Sequence, residues 1–273
     1  MRRVLPHINL SDAMHDQRVF ISLAAFLFLA GCGTVPSLSF PTRTIARPAC
    51  IAAGTVQPVT IAPHVEIVIY LPPCYEPQTK NNYPVLYLLP GFSGSGHDWF
   101  DTGVDKVADT AILNGEIAPF IIVGTPDTFD DLDGRVVYET ILPYLEEHYP
   151  VARERRFRAA SGGSYGGAVA YHLAFRHPDL FSNAGIFGNG AALGEEDSIR
   201  TWLAAIPKNT RPRVFINVGE SDTYMLERAQ ALIPILDASG ISHVDIFSPG
   251  GHSYAYWIVN FPAYFRWLAQ DWE

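Results

Sequence analysis

From residue 50 onward, short apolar runs rich in branched and aromatic residues alternate with segments of helical periodicity. The apolar runs predict strands at residues 54–60, 64–71, 84–89, 119–124, 156–162, 182–187, 213–218 and 243–248. Helical periods follow near residues 99–114, 134–148, 165–176, 196–205, 223–239 and 255–270. This alternation predicts an α/β fold, with helices on both faces of a mostly parallel sheet. The first two strands have a short connection and are expected to pair antiparallel, and the irregular residues 188–197 are a candidate for a small lid.

The N-terminal part of the chain does not share this pattern. Residues 19–30 (VFISLAAFLFLA) follow arginines and form an apolar run typical of a secretory signal and too short to span a bilayer. The run ends in LAGC, closing at Cys32, which resembles the bacterial lipobox, where the cysteine is lipidated and becomes the new N-terminus. We therefore expect a lipoprotein signal peptide at residues 1–31, starting from Met1 or Met14. The alternative is an ordinary secretory signal with a chance cysteine.

A lipid anchor would hold the exported protein on a membrane, facing the periplasm or the cell exterior. Residues 32–49 are rich in proline, serine and threonine and suit an extended tether, which leaves residues 50–273 as the α/β domain. With Cys32 lipidated, Cys50 and Cys74 are an even pair in an oxidising compartment. We expect them to form a disulfide, and the alternative is two unpaired buried thiols.

Length and charge narrow the class of protein further. The chain has 273 residues, 48% of them hydrophobic, which suits one α/β domain with a large core. It carries 28 acidic against 19 basic residues, a formal net charge of −9. Because phosphate contacts need a surface of lysine and arginine, a nucleic-acid partner is not expected. The sequence has no histidine pair at metal-ligand spacing and no Cys–His cluster, so neither a metal nor another cofactor is expected.

A nucleophile motif lies between a predicted strand and a predicted helix. Residues 156–167 read RFRAASGGSYGG and are followed by the helical segment AVAYHLAF. Gly162, Ser164 and Gly166 match the G-x-S-x-G elbow, in which a serine occupies a strained turn between strand and helix. Side chains at the two glycine positions would collide with the neighbouring strand and helix. This context favours Ser164 as a nucleophile over the alternative of a structural glycine turn.

An elbow serine needs an imidazole to take its proton, and the acid and the histidine follow the serine in the chain. His252 lies in the glycine-rich turn SPGGHSYAYW after the last strand and is the predicted base, with His97 in GFSGSGHDW as its rival. The segment RVFINVGESD supplies Glu220 and Asp222 after the preceding strand. Asp222 is the preferred acid, and its alternative role is that of a helix N-cap.

Backbone N–H groups are expected to hold the oxyanion that such a serine creates. One belongs to Tyr165, the residue after the nucleophile. The other belongs to the loop after the third strand, PVLYLL, which continues Pro90-Gly91-Phe92 and makes Phe92 the second donor. The alternative is an ordinary glycine-rich surface loop.

At these positions the chain resembles the esterase D-like hydrolases, which include feruloyl and acetyl-xylan esterases, enterochelin esterases and mycolyltransferases. The resemblance covers residues 50–273 and is carried by YLPPCYEP, YPVLYLLPGF, AASGGSYGG, FRHPDLF, NVGESD and GGHSYAYW. It implies an α/β-hydrolase fold, an ester substrate and a Ser-His-Asp mechanism, and its Gly-x-x-Asp register places the acid at Asp222. Many members have His-Gly where this chain has Pro90-Gly91. The donating N–H comes from the next residue, so we expect catalysis to survive that difference.

The favoured interpretation is a serine carboxylic-ester hydrolase that works through an acyl-enzyme outside the cytoplasm on a small-molecule or polysaccharide-linked ester. One alternative is an acyltransferase that passes the acyl group to an alcohol acceptor, and a third is a lipoprotein binding module without catalysis. Trp99, Tyr254 and Trp257 are candidates to line an aryl- or sugar-binding cleft. Core packing is the favoured interpretation of these aromatic residues, and the cleft is the alternative.

Overall fold

Eight strands form one mixed sheet in the order β1-β2-β4-β3-β5-β6-β7-β8. The computed structural model describes residues 51–79 and 82–272. The strands are β1 Thr55–Ala62, β2 Val65–Leu71, β3 Val85–Leu89, β4 Ile121–Gly124, β5 Arg158–Gly163, β6 Asn183–Phe187, β7 Arg213–Gly219 and β8 His243–Ser248. β2 pairs antiparallel with both β1 and β4, and the other strand pairs are parallel. The predicted α/β fold and the antiparallel start of the sheet are confirmed.

Several predictions concern the N-terminal part and lie outside the described residues. They are the signal peptide at residues 1–31, the lipid anchor at Cys32, the tether at residues 32–49 and the position of Cys50. Cys74 lies shortly after β2 with a left-handed backbone, φ 59°. The Cys50–Cys74 disulfide therefore stays a prediction.

The central strands read as uninterrupted apolar runs because both faces of the sheet are covered. β3 (VLYLL) and β4 (IIVG) are buried throughout. Successive side chains alternate between the two faces, so Tyr87 joins the core layer on one side while Leu86 and Leu88 join the layer on the other. β1 lies at the sheet edge, is largely exposed and contains Pro58, which an edge strand tolerates.

Helices cover both faces of the sheet. In the described residues the α-helices are α1 Asp98–Asp101, α2 Val104–Leu113, α3 Leu142–His148, α4 Tyr165–Arg176, α5 Glu196–Ala205, α6 Thr223–Ser239, α7 Tyr254–Ile258 and α8 Phe261–Ala269. A π-helical turn at Val137–Ile141 leads into α3, and 3-10 turns lie at Arg155–Phe157 and Lys208–Thr210. None of the helices within residues 51–79 and 82–272 has the length and apolarity needed to cross a membrane.

Two of the predicted helices are divided. The segment predicted at residues 99–114 breaks between α1 and α2, where Gly103 adopts φ 90° and ends the first helix. The segment predicted at residues 255–270 breaks between α7 and α8, where Pro262 occupies the first turn of the second helix and removes one backbone donor. Each break places a short helix against the carboxyl edge of the sheet.

The carboxyl ends of the parallel strands meet at one edge, where such sheets place their binding sites. The loops that leave this edge carry most of the residues singled out in the sequence. β3 leads to Gly91 and Phe92, β5 to Ser164, β7 to Asp222 and β8 to His252.

Candidate active site

Ser164 occupies the sharp turn between β5 and α4. Its backbone has φ 53° and ψ −121°, a conformation that residues with side chains rarely adopt. The Ser164 N–H donates to the Phe187 carbonyl on β6, at 2.8 Å. A Cβ at Gly162 would lie 2.3 Å from the Gly166 carbonyl carbon, and one at Gly166 would lie 2.4 Å from the Pro90 oxygen. The two glycines therefore let strand, turn and helix approach closely enough to hold the serine in this conformation.

Asn189 supports the turn from the next loop, a contact that the sequence did not suggest. Its Nδ2 donates to the Ser164 carbonyl at 2.5 Å, and its Oδ1 accepts the Gly190 N–H at 2.6 Å. Residues 188–191 are buried beneath the turn, so the expectation of a lid at 188–197 is wrong for these four residues. A polar side chain inside a run of small residues was the one available signal.

The structure brings His252 and Asp222 together. His252 Nδ1 lies 2.5 Å from Asp222 Oδ2, and the Asp222 side chain is only 11% exposed. Asp222 precedes α6 at the N-cap position, yet its side chain makes no capping hydrogen bond. The carboxylate is thus available to the imidazole, and the alternative role as a side-chain cap is absent.

Neither rival side chain takes the place of these two. Glu220 is exposed, and its backbone N–H donates to the Ser248 carbonyl at 2.9 Å. His97 is also exposed, and its Nε2 lies 3.9 Å from Glu66 on β2. The pairing at the carboxyl edge of the sheet therefore belongs to Asp222 and His252.

Trp257 links the imidazole to the serine turn. Its ring lies edge-on to His252, with centroids 5.1 Å apart, and a Cβ at Gly163 would lie 2.4 Å from the same indole. Within the described residues, the Ser164 hydroxyl makes no hydrogen bond to His252 at 3.5 Å or less. In hydrolases this contact often shortens only when substrate binds.

The loop after β3 lies directly beside the nucleophile. A Cβ at Gly91 would lie 3.7 Å from both the Ser164 Cβ and the Tyr254 hydroxyl oxygen. The Gly91 N–H donates to that Tyr254 oxygen at 2.9 Å, and the hydroxyl donates to Asp98 Oδ2 at 3.2 Å. Burial raises the pKa of Tyr254 to about 12, so its hydroxyl keeps the proton that it donates. No sequence pattern indicated this role of Asp98.

The two predicted oxyanion donors remain available. In the described part of the chain, neither the Phe92 N–H nor the Tyr165 N–H donates to another protein group. The side chains of Phe92 and Tyr165 both pack against the Phe129 ring, with centroid distances of 4.4 Å for Phe92 and 5.7 Å for Tyr165. Phe92 is 62% exposed and Phe129 is 47% exposed. An accessible aromatic surface, not foreseen from the sequence, therefore borders the two amides.

The candidate cleft positions are wrong for Trp99 and Trp257, which pack in the core as the favoured interpretation expected. Trp99 is fully buried and Trp257 nearly so, because both rings pack into the core beneath the site, and the Trp99 Nε1–H donates to the Leu89 carbonyl at 3.0 Å. Tyr254 is half-buried, and its hydroxyl is engaged by Gly91 and Asp98. These residues form the floor of the site, and the accessible rings are those of Phe92 and Phe129.

A covered parallel sheet, a strained serine turn and an Asp–His pair at its carboxyl edge define the α/β-hydrolase class. The family model described as "Putative esterase" matches residues 60–268. The match covers well over half of the chain, so the protein belongs to this esterase family. The resemblance inferred from the sequence motifs is confirmed.

Comparisons with individual proteins agree with this assignment. An uncharacterised protein of Corynebacterium glutamicum is 25% identical over 247 residues, which cover 74% of this chain and 56% of that protein. This chain therefore spans about half the length of that relative. A feruloyl esterase module from Clostridium thermocellum, complexed with sinapinate, has a TM-score of 0.69 at 20% identity, covering 86% of this chain and 98% of the module. The fluorophosphonate-binding serine hydrolase FphF of Staphylococcus aureus has a TM-score of 0.64 at 17% identity, covering 80% and 99%. Both structures share the fold.

Proposed function

We propose that the protein is a serine carboxylic-ester hydrolase with a Ser164–His252–Asp222 triad. The observation that carries this proposal is the 2.5 Å contact between His252 Nδ1 and Asp222 Oδ2, at the same sheet edge as the strained Ser164 turn. Membership of the esterase family supports ester hydrolysis as the reaction class. An elbow serine, an imidazole and an orienting carboxylate are the three groups that acyl transfer to serine requires.

The reaction proceeds through an acyl-enzyme. His252 Nε2 takes the Ser164 proton as the oxygen attacks the ester carbonyl, and Asp222 accepts the Nδ1–H and stabilises the imidazolium. Collapse of the tetrahedral intermediate breaks the bond to the alcohol, which leaves with the proton from His252. Water then attacks the acyl-enzyme by the same route, releases the acid and restores the serine.

The amides of Phe92 and Tyr165 hold the negative oxygen of both intermediates. Because neither N–H donates to another group in the described structure, both can donate to an oxyanion. Such donors act mainly on the transition state, where charge has developed. They contribute to kcat more than to substrate binding.

The accessible Phe92 and Phe129 rings support esters with an apolar or aromatic group next to the carbonyl. The two side chains meet edge to face beside the proposed oxyanion amides. The related feruloyl esterase module is described in complex with sinapinate, an aromatic acid. Acetyl, butyryl, long-chain and feruloyl esters are therefore the substrate series to compare, and a preference for feruloyl or longer chains over acetyl is expected.

The decisive experiment combines turnover with fluorophosphonate labelling in Ser164→Ala. Turnover should fall by on the order of 10⁶, and labelling should disappear, because the hydroxyl that forms the covalent bond is gone. Ser161→Ala is the matched control, since this serine lies on the same strand but is buried, and its hydroxyl donates to the Gly185 carbonyl at 3.2 Å. The control should be labelled and should turn over at the parental rate. Labelling that persists in Ser164→Ala would refute the proposed nucleophile.

We further propose that the enzyme is an exported lipoprotein anchored at Cys32 and works outside the cytoplasm. The support is the apolar run at residues 19–30 followed by LAGC. An acidic catalytic domain on an extended tether would remain solvated above an anionic membrane surface.

A further inference from the structure

We infer that Tyr254 is a positioning residue for the oxyanion hole: its hydroxyl, oriented by Asp98, holds the Gly91 backbone so that the Phe92 N–H faces the reacting oxygen. The inference rests on the proposed function, since it concerns the donor assigned above to Phe92. Tyr254 contacts the loop and not the substrate. The sequence placed it only among candidate cleft residues.

Three groups form a directed chain of hydrogen bonds. The Gly91 N–H donates to the Tyr254 oxygen at 2.9 Å, and the Tyr254 hydroxyl donates to Asp98 Oδ2 at 3.2 Å. Because the carboxylate can only accept, it fixes the direction of the tyrosine proton and leaves an oxygen lone pair facing Gly91. Asp98 Oδ1 accepts from the Ser95 N–H at 3.2 Å and from the Ser95 hydroxyl at 2.9 Å. Asp98 thus ties the tyrosine to the far side of the same loop.

The orientation of the Phe92 N–H follows from how Gly91 is held at both ends. The Gly91 carbonyl accepts the Gly94 N–H at 3.0 Å, and its own N–H is held by Tyr254. In a trans peptide, the carbonyl of one residue and the N–H of the next point in opposite directions. The contact with Gly94 therefore aims the Phe92 N–H away from the loop interior. Tyr254 holds the preceding Pro90–Gly91 peptide, so the two contacts together restrain the backbone on both sides of the Gly91 Cα.

Packing makes Tyr254 a rigid support. Its ring lies edge to face against Trp99 and Trp257, with centroids 4.7 Å and 5.1 Å away. The hydroxyl oxygen also accepts the Gly91 N–H, so this amide cannot donate to the oxyanion. The next amide along the chain, that of Phe92, is the one that donates to it. Tyr254 is the first residue of α7 and lies two residues after His252. The start of this helix therefore positions both the general base and the residue that supports the oxyanion loop.

The test compares Tyr254→Phe with Tyr83→Phe. Tyr83 is the matched control because its hydroxyl also accepts a backbone N–H, that of Glu76 at 2.9 Å, but it lies just before β3, at the opposite end of that strand. A displaced oxyanion donor should lower kcat of Tyr254→Phe by about 10- to 100-fold with KM within about threefold. The inhibition constant of a boronic acid, whose adduct carries the tetrahedral negative oxygen, should rise by the same factor as kcat falls. Tyr83→Phe should match the parent in both.

Asp98→Asn is a second test of the positioning role of Tyr254 if Tyr254→Phe folds poorly. An amide at this position no longer enforces the direction of the tyrosine proton, so kcat should fall by about 3- to 10-fold. The double variant should be no slower than Tyr254→Phe alone, because both changes act through one hydrogen bond. Additive losses, or a Tyr254→Phe enzyme with parental kcat and boronate affinity, would overturn the inference. A parent enzyme that lacks both turnover and fluorophosphonate labelling would instead refute the proposed function.

Discussion

The choice between two carboxylates gives the sharpest test of the proposed triad. Asp222 and Glu220 lie two residues apart in VGESD, and Asp222→Asn and Glu220→Gln each remove one negative charge while keeping the size of the side chain. Of these two carboxylates, Asp222 is the one that contacts His252, with 2.5 Å between Oδ2 and Nδ1. We expect Asp222→Asn to lose nearly all turnover and Glu220→Gln to retain it.

The expected size follows from the contact. The Asp222 side chain is 11% exposed, so its charge-assisted bond to the imidazole is largely shielded from water. An asparagine that turns its NH₂ toward Nδ1 would move the imidazole proton to Nε2, the atom that must accept the serine proton. That tautomer costs about 10⁴ in kcat in serine hydrolases, which corresponds to about 5.4 kcal/mol at 1.36 kcal/mol per factor of ten.

Stability should hardly change, which separates the catalytic role from a structural one. Asp222 makes no side-chain capping bond, so the free energy of unfolding should fall by less than about 1 kcal/mol. Glu220→Gln should stay within about fivefold of the parental kcat, since an exposed, screened charge contributes at most about 1 kcal/mol. The measurement is kcat on 4-nitrophenyl acetate, with thermal unfolding as the control. The reverse ranking of the two variants would move the acid to Glu220.

Two further predictions concern the elbow and the N-terminus. Gly162→Ala should lower the free energy of unfolding by about 3 kcal/mol, because its Cβ would lie 2.3 Å from backbone at Gly166, whereas Gly251→Ala, with nothing within 4 Å, should be neutral. Equal thermal stability of the two variants would contradict this steric argument. Cys32→Ala should release the protein from the membrane fraction or leave it unprocessed, and unchanged attachment in cell fractionation would rule out the lipobox.

Patterns of local origin predicted most of the fold. The buried strands appear as apolar runs because both of their faces are covered, and β7 and β8 begin at residues 213 and 243, as expected. Helix breaks were harder to place. Apolar periodicity continues across Gly103 and across residues 259–260, while the backbone there turns to bring α1 and α7 against the sheet edge.

The residues of the site also fall into two groups, those that local sequence patterns reveal and those that they do not. Ser164, His252 and Asp222 could be found because the elbow and the ends of strands leave local signatures. The contact between Tyr254 and Gly91 joins residues 163 positions apart, and no sequence window includes both. Core packing of Trp99 was favoured but not decided by the sequence, since an aromatic residue after a glycine-rich loop gives the same pattern whether it lines a cleft or fills the core beneath it.

The short segment from His252 to Trp257 carries both the general base and the tyrosine that holds the oxyanion loop. It leaves β8, an edge strand that is only partly buried along its length. The segment itself is fixed, because Tyr256 and Trp257 are buried in the core. Any displacement of it moves the general base and the support of the oxyanion loop together. Proton transfer and charge stabilisation are therefore lost as one, and no movement of this segment removes one function and leaves the other.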